Sequence, residues 1–223
     1  MPRRKLFVPR QESHNPPGGG TLTAMSEMYG PHGAAGDRRR LFDFIALTAR
    51  LRETERANNA TPERKESVAE HSWHLAMVSW ILHAEFEREA GQRLDLTKML
   101  KLCLMHDLVE MDAVERGAAG GEPPRFASLP APLGVELLAL WREYEEGRTP
   151  EACLVRGVDR LNPTLMRCLT GQGWGDMATD SHAPVDAEAL DGLHLPRVAV
   201  SETLRALYEE IRDASVEGGL LPP

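Results

Sequence analysis

From Asp37 the chain repeats apolar side chains at intervals of three and four residues, with Leu41, Phe44, Ile45, Thr48 and Leu51 on one stripe through about Arg52. That period predicts an amphipathic helix. A polar stretch, Arg52 to Glu63, then links to a longer helix expected to start near Arg64 or Ser67. Val68, His71, Leu75, Val78 and Leu82 form its stripe, widened by Trp73, Met77, Trp80 and Ile81, and Gly91 is placed to end it. Asp95 is the expected cap of the next helix, whose Met99, Leu100, Cys103 and Leu104 run into the adjacent pair His106-Asp107.

Gly and Pro crowd the segment from Gly117 to Pro132, which predicts a loop of the length that often carries function. Leu133 to Glu146 reads as helix again. Thr149-Pro150-Glu151 then opens another, with a capping hydroxyl, a proline at the first helical position and an acid facing the helix dipole. That helix carries Leu154, Val155, Val158, Leu161 and Leu165, with Asp159 among them. After the glycine-rich turn from Gly171 to Gly175 the pattern is irregular until a last helix, expected from about Arg197 to Asp213. No convincing strand alternation and no internal repeat are present, so the expected fold is an all-α helical bundle. Residues 1–35, rich in Gly and Pro, predict a disordered leader. The helical domain is expected over 36–214, with a flexible tail at 215–223.

Composition narrows the function. Of 223 residues, 42 % are hydrophobic and 27 % charged, ordinary for a globular chain, and the net charge of −8 argues against binding a nucleic-acid polymer. Small phosphate esters stay open, because a local cation and one or two arginines override the global field. Cys103, Cys153 and Cys168 are odd in number, lack a CxxC spacing and fall in apolar helical patterns. Buried reduced thiols and a cytoplasmic location are therefore expected. No apolar run approaches the roughly 20 residues that span a bilayer, and the basic opening lacks the apolar core of a secretory signal.

The chemistry concentrates in His71, His106, Asp107 and Asp159. Two imidazoles and two carboxylates, placed on three expected helices, suit one divalent transition metal held among inward-facing side chains. Neighbours on a helix diverge by about 100°, so His106 and Asp107 reach one ion only if it lies at the flank between them. Glu110 follows the pair by three and four residues and shares nearly its face. His74 and His83 are expected to be structural. Pro163 deprives the carbonyl of Asp159 of its helical donor; either a kink aims that side chain inward or the helix ends near Asn162.

Ser67-Val68-Ala69-Glu70-His71-Ser72-Trp73, Leu104-Met105-His106-Asp107-Leu108-Val109-Glu110 and Asp159-Arg160-Leu161 together resemble the HD-domain superfamily. Leu140 to Glu146 with Thr149 to Ala152 is similar to its small 5′-deoxynucleotidase branch. The resemblance spans about residues 40–170. It implies a phosphomonoester hydrolase acting on (deoxy)nucleoside monophosphates, one divalent metal (Co²⁺ or Mn²⁺ foremost; Fe²⁺, Ni²⁺ or Zn²⁺ also suitable) on His71, His106, Asp107 and Asp159, Glu110 as acid/base, and a homodimer. Members with two metals take further histidines from the interval between Asp107 and Asp159, where this chain has none. Two features depart from the branch. Its usual Gly-Asp after the catalytic Glu is Val114-Glu115 here, and Arg56 lacks the aromatic neighbour that the branch often shows. Arg56, Glu115 and Arg160 are the candidate substrate contacts. Two rival readings follow from the same residues: a metal-stabilised binding or regulatory module without turnover, and a helical scaffold with no metal, which would leave an ionised Asp and two His in apolar surroundings without compensation.

Overall fold

The described residues of the computed structural model (34–109, 126, 129–176 and 185–223) run α1 (Ala34–Thr48), a 3₁₀ turn (Ala49–Arg52), β1 (Glu55–Thr61), β2 (Arg64–Ser67), α2 (Val68–Ala90), α3 (Leu96–Met105), a 3₁₀ turn (His106–Val109), α4 (Leu133–Glu146), α5 (Pro150–Thr170), α6 (Ala187–Val198) and α7 (Glu202–Glu217). The chain divides into two units, residues 1–39 and 40–223. Of the first, only residues 34–39, the opening of α1, are described.

Local chemistry sets the helix ends. Ser67 and Glu70 form a reciprocal capping box that starts α2: the Ser67 hydroxyl accepts from Glu70 N–H, and the Glu70 carboxylate accepts from Ser67 N–H. Arg64 pairs with the same carboxylate. Gly91, at φ 62°, ends α2 in the left-handed region that favours glycine. Asp95 caps α3 and Thr149 caps α5, as their sequences predict, and α4 spans the expected Leu133–Glu146. α5 continues past Pro163 to Thr170, so the proline does not end it.

α5 is the hub, packing against α2, β1, α6 and α7. Leu154, Val155, Val158 and Leu161 are buried along it, each worth roughly 1.5–3 kcal/mol of transfer free energy. A β-carbon at Gly157 would sit 2.8 Å from Cδ1 of Leu204 and 3.1 Å from the carbonyl oxygen of Arg197, so glycine permits the close approach of α7. α2 packs on α3, and Leu75, Met99, Leu102 and Cys103 are buried on these helices, which lie with the N-terminus of α2 and the C-terminus of α3 beside α5.

Four expectations need correction. The polar stretch after Arg52 is part of an antiparallel hairpin, β1 against β2, with Glu55 opposite Ser67 and Thr61 opposite Arg64. Its sequence lacks β-branched alternation; tertiary bonds hold it instead, from Arg167 Nε to Asn58 Oδ1 (3.1 Å) and from Asn59 N–H to Gln172 Oε1 (2.8 Å). The irregular stretch before Arg197 contains α6, capped by Asp186 and buried through Leu190, His194 and Val198; Gly192 and Pro196 hide its period. The last helix therefore starts at Glu202. Trp73, Trp80 and Ile81 do not join the packed stripe of α2 and stand 61, 57 and 70 % exposed. Residues beyond 214 are packed rather than loose: Leu221 is buried, Trp174 N–H donates to Leu220 O and Ala187 N–H to Pro222 O.

The three cysteines are free, as expected, but only Cys103 is fully buried; burial pushes its thiol up to about 12. Among the described residues no helix is long and apolar enough to cross a membrane. The segment 1–33 and most of the Gly117–Pro132 segment lie outside the described residues.

Candidate metal centre

His71 occupies the first turn of α2, fully buried, where the capping box fixes its backbone. Its Nδ1 lies 3.3 Å from Asn162 Oδ1, and the amide nitrogen of Asn162 lies 2.9 Å from Nδ1 of His74. This relay makes Nδ1 of His71 the donor and leaves Nε2 with a free lone pair. His106 begins the 3₁₀ turn after α3. Its Nδ1 donates to Cys103 O at 2.8 Å, so its Nε2 is also the unprotonated nitrogen. That Nε2 is buried and, among the described residues, has no hydrogen-bond partner.

The two lone pairs face the same two carboxylates. Nε2 of His71 lies 3.1 Å from Asp159 Oδ1 and 3.8 Å from Asp107 Oδ2; Nε2 of His106 lies 3.3 Å from Asp107 Oδ2 and 3.8 Å from Asp159 Oδ1. One donor atom each from His71, His106 and Asp107 falls within 4.8 Å of the others. Ligand bonds of about 2.1 Å give donor separations of about 3.0 Å at right angles and about 3.4 Å at the tetrahedral angle, so these spacings suit one shared cation. The donor set fits. Without a cation, the lone pair on Nε2 of His106 would face two carboxylate oxygens and no donor.

Burial opposes ionisation of Asp159, but the His71 and His106 imidazoles beside it, when their rings are protonated, hold its carboxyl well below the usual range. Asp107 is lowered likewise, against burial, by His106 and then Arg56. Burial pushes His106 down, yet Asp107 raises it overall. Carboxylate and imidazole each favour the charged form of the other, so the four donors form one coupled cluster in which Asp107 and Asp159 stay ionised and offer negative charge to a cation.

The structure brings together all four donors that the sequence singled out. It places Arg56 at their edge, with Nη1 2.7 Å from Asp107 Oδ2 and Nε 3.5 Å from the buried Glu66. Arg160 is exposed and lines a neighbouring cavity rather than the centre. Glu110 and Glu115 lie outside the described residues. Three participants escaped sequence reasoning. Tyr144 donates to Asp159 Oδ2 at 3.0 Å. Asn162 orients His71; its position one turn after Asp159 on the same helical face was a usable signal. Glu66, raised by burial despite His71 and Arg56, sits at the end of the unrecognised strand. His83, bonded to Leu94 O, is structural as expected, whereas His74 belongs to the relay behind His71.

Comparison with known proteins accords with this geometry. The HD-domain family model matches residues 48–115 and 125–188. The 5′-deoxynucleotidase HDDC2 of Dictyostelium discoideum is 29 % identical over 139 residues, covering 55 % of this chain and 73 % of the relative. The human protein of the same name is 26 % identical over 155 residues, covering 63 % and 71 %. Among solved structures, a predicted metal-dependent phosphohydrolase of Magnetospirillum magnetotacticum MS-1 superposes with a TM-score of 0.67 at 29 % identity, covering 84 % of this chain and 99 % of its own. An HD-domain phosphohydrolase of Listeria innocua shares the fold at 17 % identity, with a TM-score of 0.55, covering 81 % of this chain and 92 % of its own.

Proposed function

The chain belongs to the HD-domain family and is a metal-dependent phosphohydrolase, and on that footing we propose that it removes the 5′-phosphate of (deoxy)nucleoside monophosphates. The observation that carries the reading is the pair of imidazoles whose Nδ1 atoms are tied back to Asn162 and Cys103, so that both Nε2 atoms meet Asp107 and Asp159. His71, His106, Asp107 and Asp159 hold one divalent cation, with Co²⁺ or Mn²⁺ the first choices. When bound, the cation supplies a Lewis acid toward a phosphate oxygen and a lowered pKa for water.

The chain's own residues do the rest. Arg56, fixed by Asp107 and Glu66, presents a guanidinium to the phosphate. Glu110 takes the proton of the attacking water and passes it to the leaving 5′ oxygen as the P–O bond breaks. This role rests on the family resemblance and on its sequence position three residues after Asp107. Tyr144 and Asn162 keep Asp159 and His71 in position. Glu115, which stands where the related branch carries an Asp in sequence, contributes a further contact to the substrate.

The enzyme acts as a cytoplasmic homodimer in this reading, supported by its three free cysteines and by the exposed stripe of Trp73, Trp80 and Ile81 on α2. The deciding experiment is phosphate release from ribo- and deoxynucleoside monophosphates by purified protein loaded with Co²⁺ or Mn²⁺. Release is expected from deoxynucleotides; no release from any ester with metal bound overturns the proposal.

A further inference from the structure

Arg160 follows Asp159 on α5, and successive helical side chains diverge by about 100°. Asp159 enters the metal centre, while Arg160 lines a separate cavity of about 330 Å³ between β1, α5 and α6. That cavity shares Arg56 with the centre and none of its four donors. We propose that this cavity receives the leaving group, that it is built for a planar heteroaromatic base, and that Arg160 is the residue that recognises the base. The inference rests on the nucleotidase reading above and names the part of the substrate which that reading left open.

Six observations carry it. Arg56 bonds to Asp107 at 2.7 Å on one side and borders the cavity on the other, so a phosphate at the centre and a group in the cavity are joined across one side chain. The volume sits at the small end of ligand pockets, which run from about 300 to 1,000 Å³, and admits a nucleoside but not an oligonucleotide. Arg160 has no ion-pair partner among the described residues, in contrast to Arg56, and a planar guanidinium both stacks on a base and hydrogen-bonds its acceptors. Glu55 lines the same cavity, which disfavours a second phosphate and offers an acceptor for an amino or hydroxyl group. Val68 and Pro163 supply the apolar wall. His194 also lines it, and burial together with the charge of Arg160 lowers its pKa, so it meets the ligand as a neutral ring.

The test compares the wild-type chain with Arg160→Ala and with Ala57→Leu, which narrows the cavity from an exposed position on β1. The ratio of kcat/KM for deoxynucleoside monophosphates to that for glycerol phosphate should fall about tenfold or more in each variant. Calorimetry with the free nucleoside, which carries no phosphate, should show binding to the wild type and a loss of similar size in both variants. An unchanged ratio overturns the proposal, whether both substrates lose equally, as they would if Arg160 held the phosphate, or neither loses. Failure of the wild type to bind nucleoside overturns it as well. If the wild type binds nucleoside but releases phosphate from no ester, the nucleotidase reading falls and the pocket stands.

Discussion

Tyr144 donates to Oδ2 of Asp159 at 3.0 Å, which leaves Oδ1 alone to face Nε2 of His71 at 3.1 Å. The phenol thereby sets which carboxylate oxygen is free to bind a cation. Burial, and then the adjacent Asp159, raise Tyr144 far above an ordinary phenol, so it remains a donor at every physiological pH. Removing the hydroxyl in Tyr144→Phe should weaken metal affinity about tenfold, the usual cost of losing a partner behind a ligand. Competition with a chelator of known affinity measures it; an unchanged affinity would show that Asp159 needs no such support.

Asn162 fixes the tautomer of His71 by accepting from Nδ1 while its own amide faces His74. Asn162→Leu keeps the volume and removes both bonds. Metal affinity should drop by about ten- to hundredfold, and NMR of labelled imidazoles should show His71 sampling the other tautomer. A single unchanged tautomer would contradict the relay.

Arg56 touches both Asp107 and Glu66, yet also borders the cavity proposed for the leaving group. Arg56→Ala should raise KM about tenfold or more, and Arg56→Lys should recover only part of it because an ammonium lacks the planar fork. Full activity in the alanine variant would place the phosphate elsewhere.

His194 gives the fold a pH dependence. Burial, then the charge of Arg160, hold its imidazole down at about 4 from an ordinary 6.5, with Asp159 and Asp191 pulling weakly the other way. Below pH 6.5 the unfolded chain takes a proton that the fold refuses, so stability declines as pH falls from 6.5 toward 4, by on the order of 3 kcal/mol. Above pH 6.5 the group contributes no slope. Denaturant unfolding of wild type and His194→Gln at several pH values should show a shallower decline in the variant; parallel curves would assign the slope to other groups.

Much of this architecture is legible along the chain because its signals are local. Thr149-Pro150 starts α5, Leu133 to Glu146 reads as helix at a glance, and a histidine beside an aspartate on an apolar face demands compensation. What stays hidden depends on distant partners. The hairpin has a polar sequence and is held by Arg167 and Gln172, more than a hundred residues away. α6 is masked by Gly192 and Pro196. The exposure of Trp73, Trp80 and Ile81 follows from which face of α2 the neighbouring helices cover, which helical period alone does not state. Arg56 could be named from the sequence, but not its clamp between Asp107 and Glu66, because Glu66 lies on the unrecognised strand.

The most direct test of the account is the metal-to-protein ratio of the full chain after loading with Mn²⁺ or Co²⁺ and desalting, measured beside His106→Ala and Asp159→Ala. About one ion per wild-type chain is expected, and a small fraction of that in each variant, since both remove donors from one shared centre. Stoichiometric metal retained by either variant, or none bound by the wild type, would contradict it.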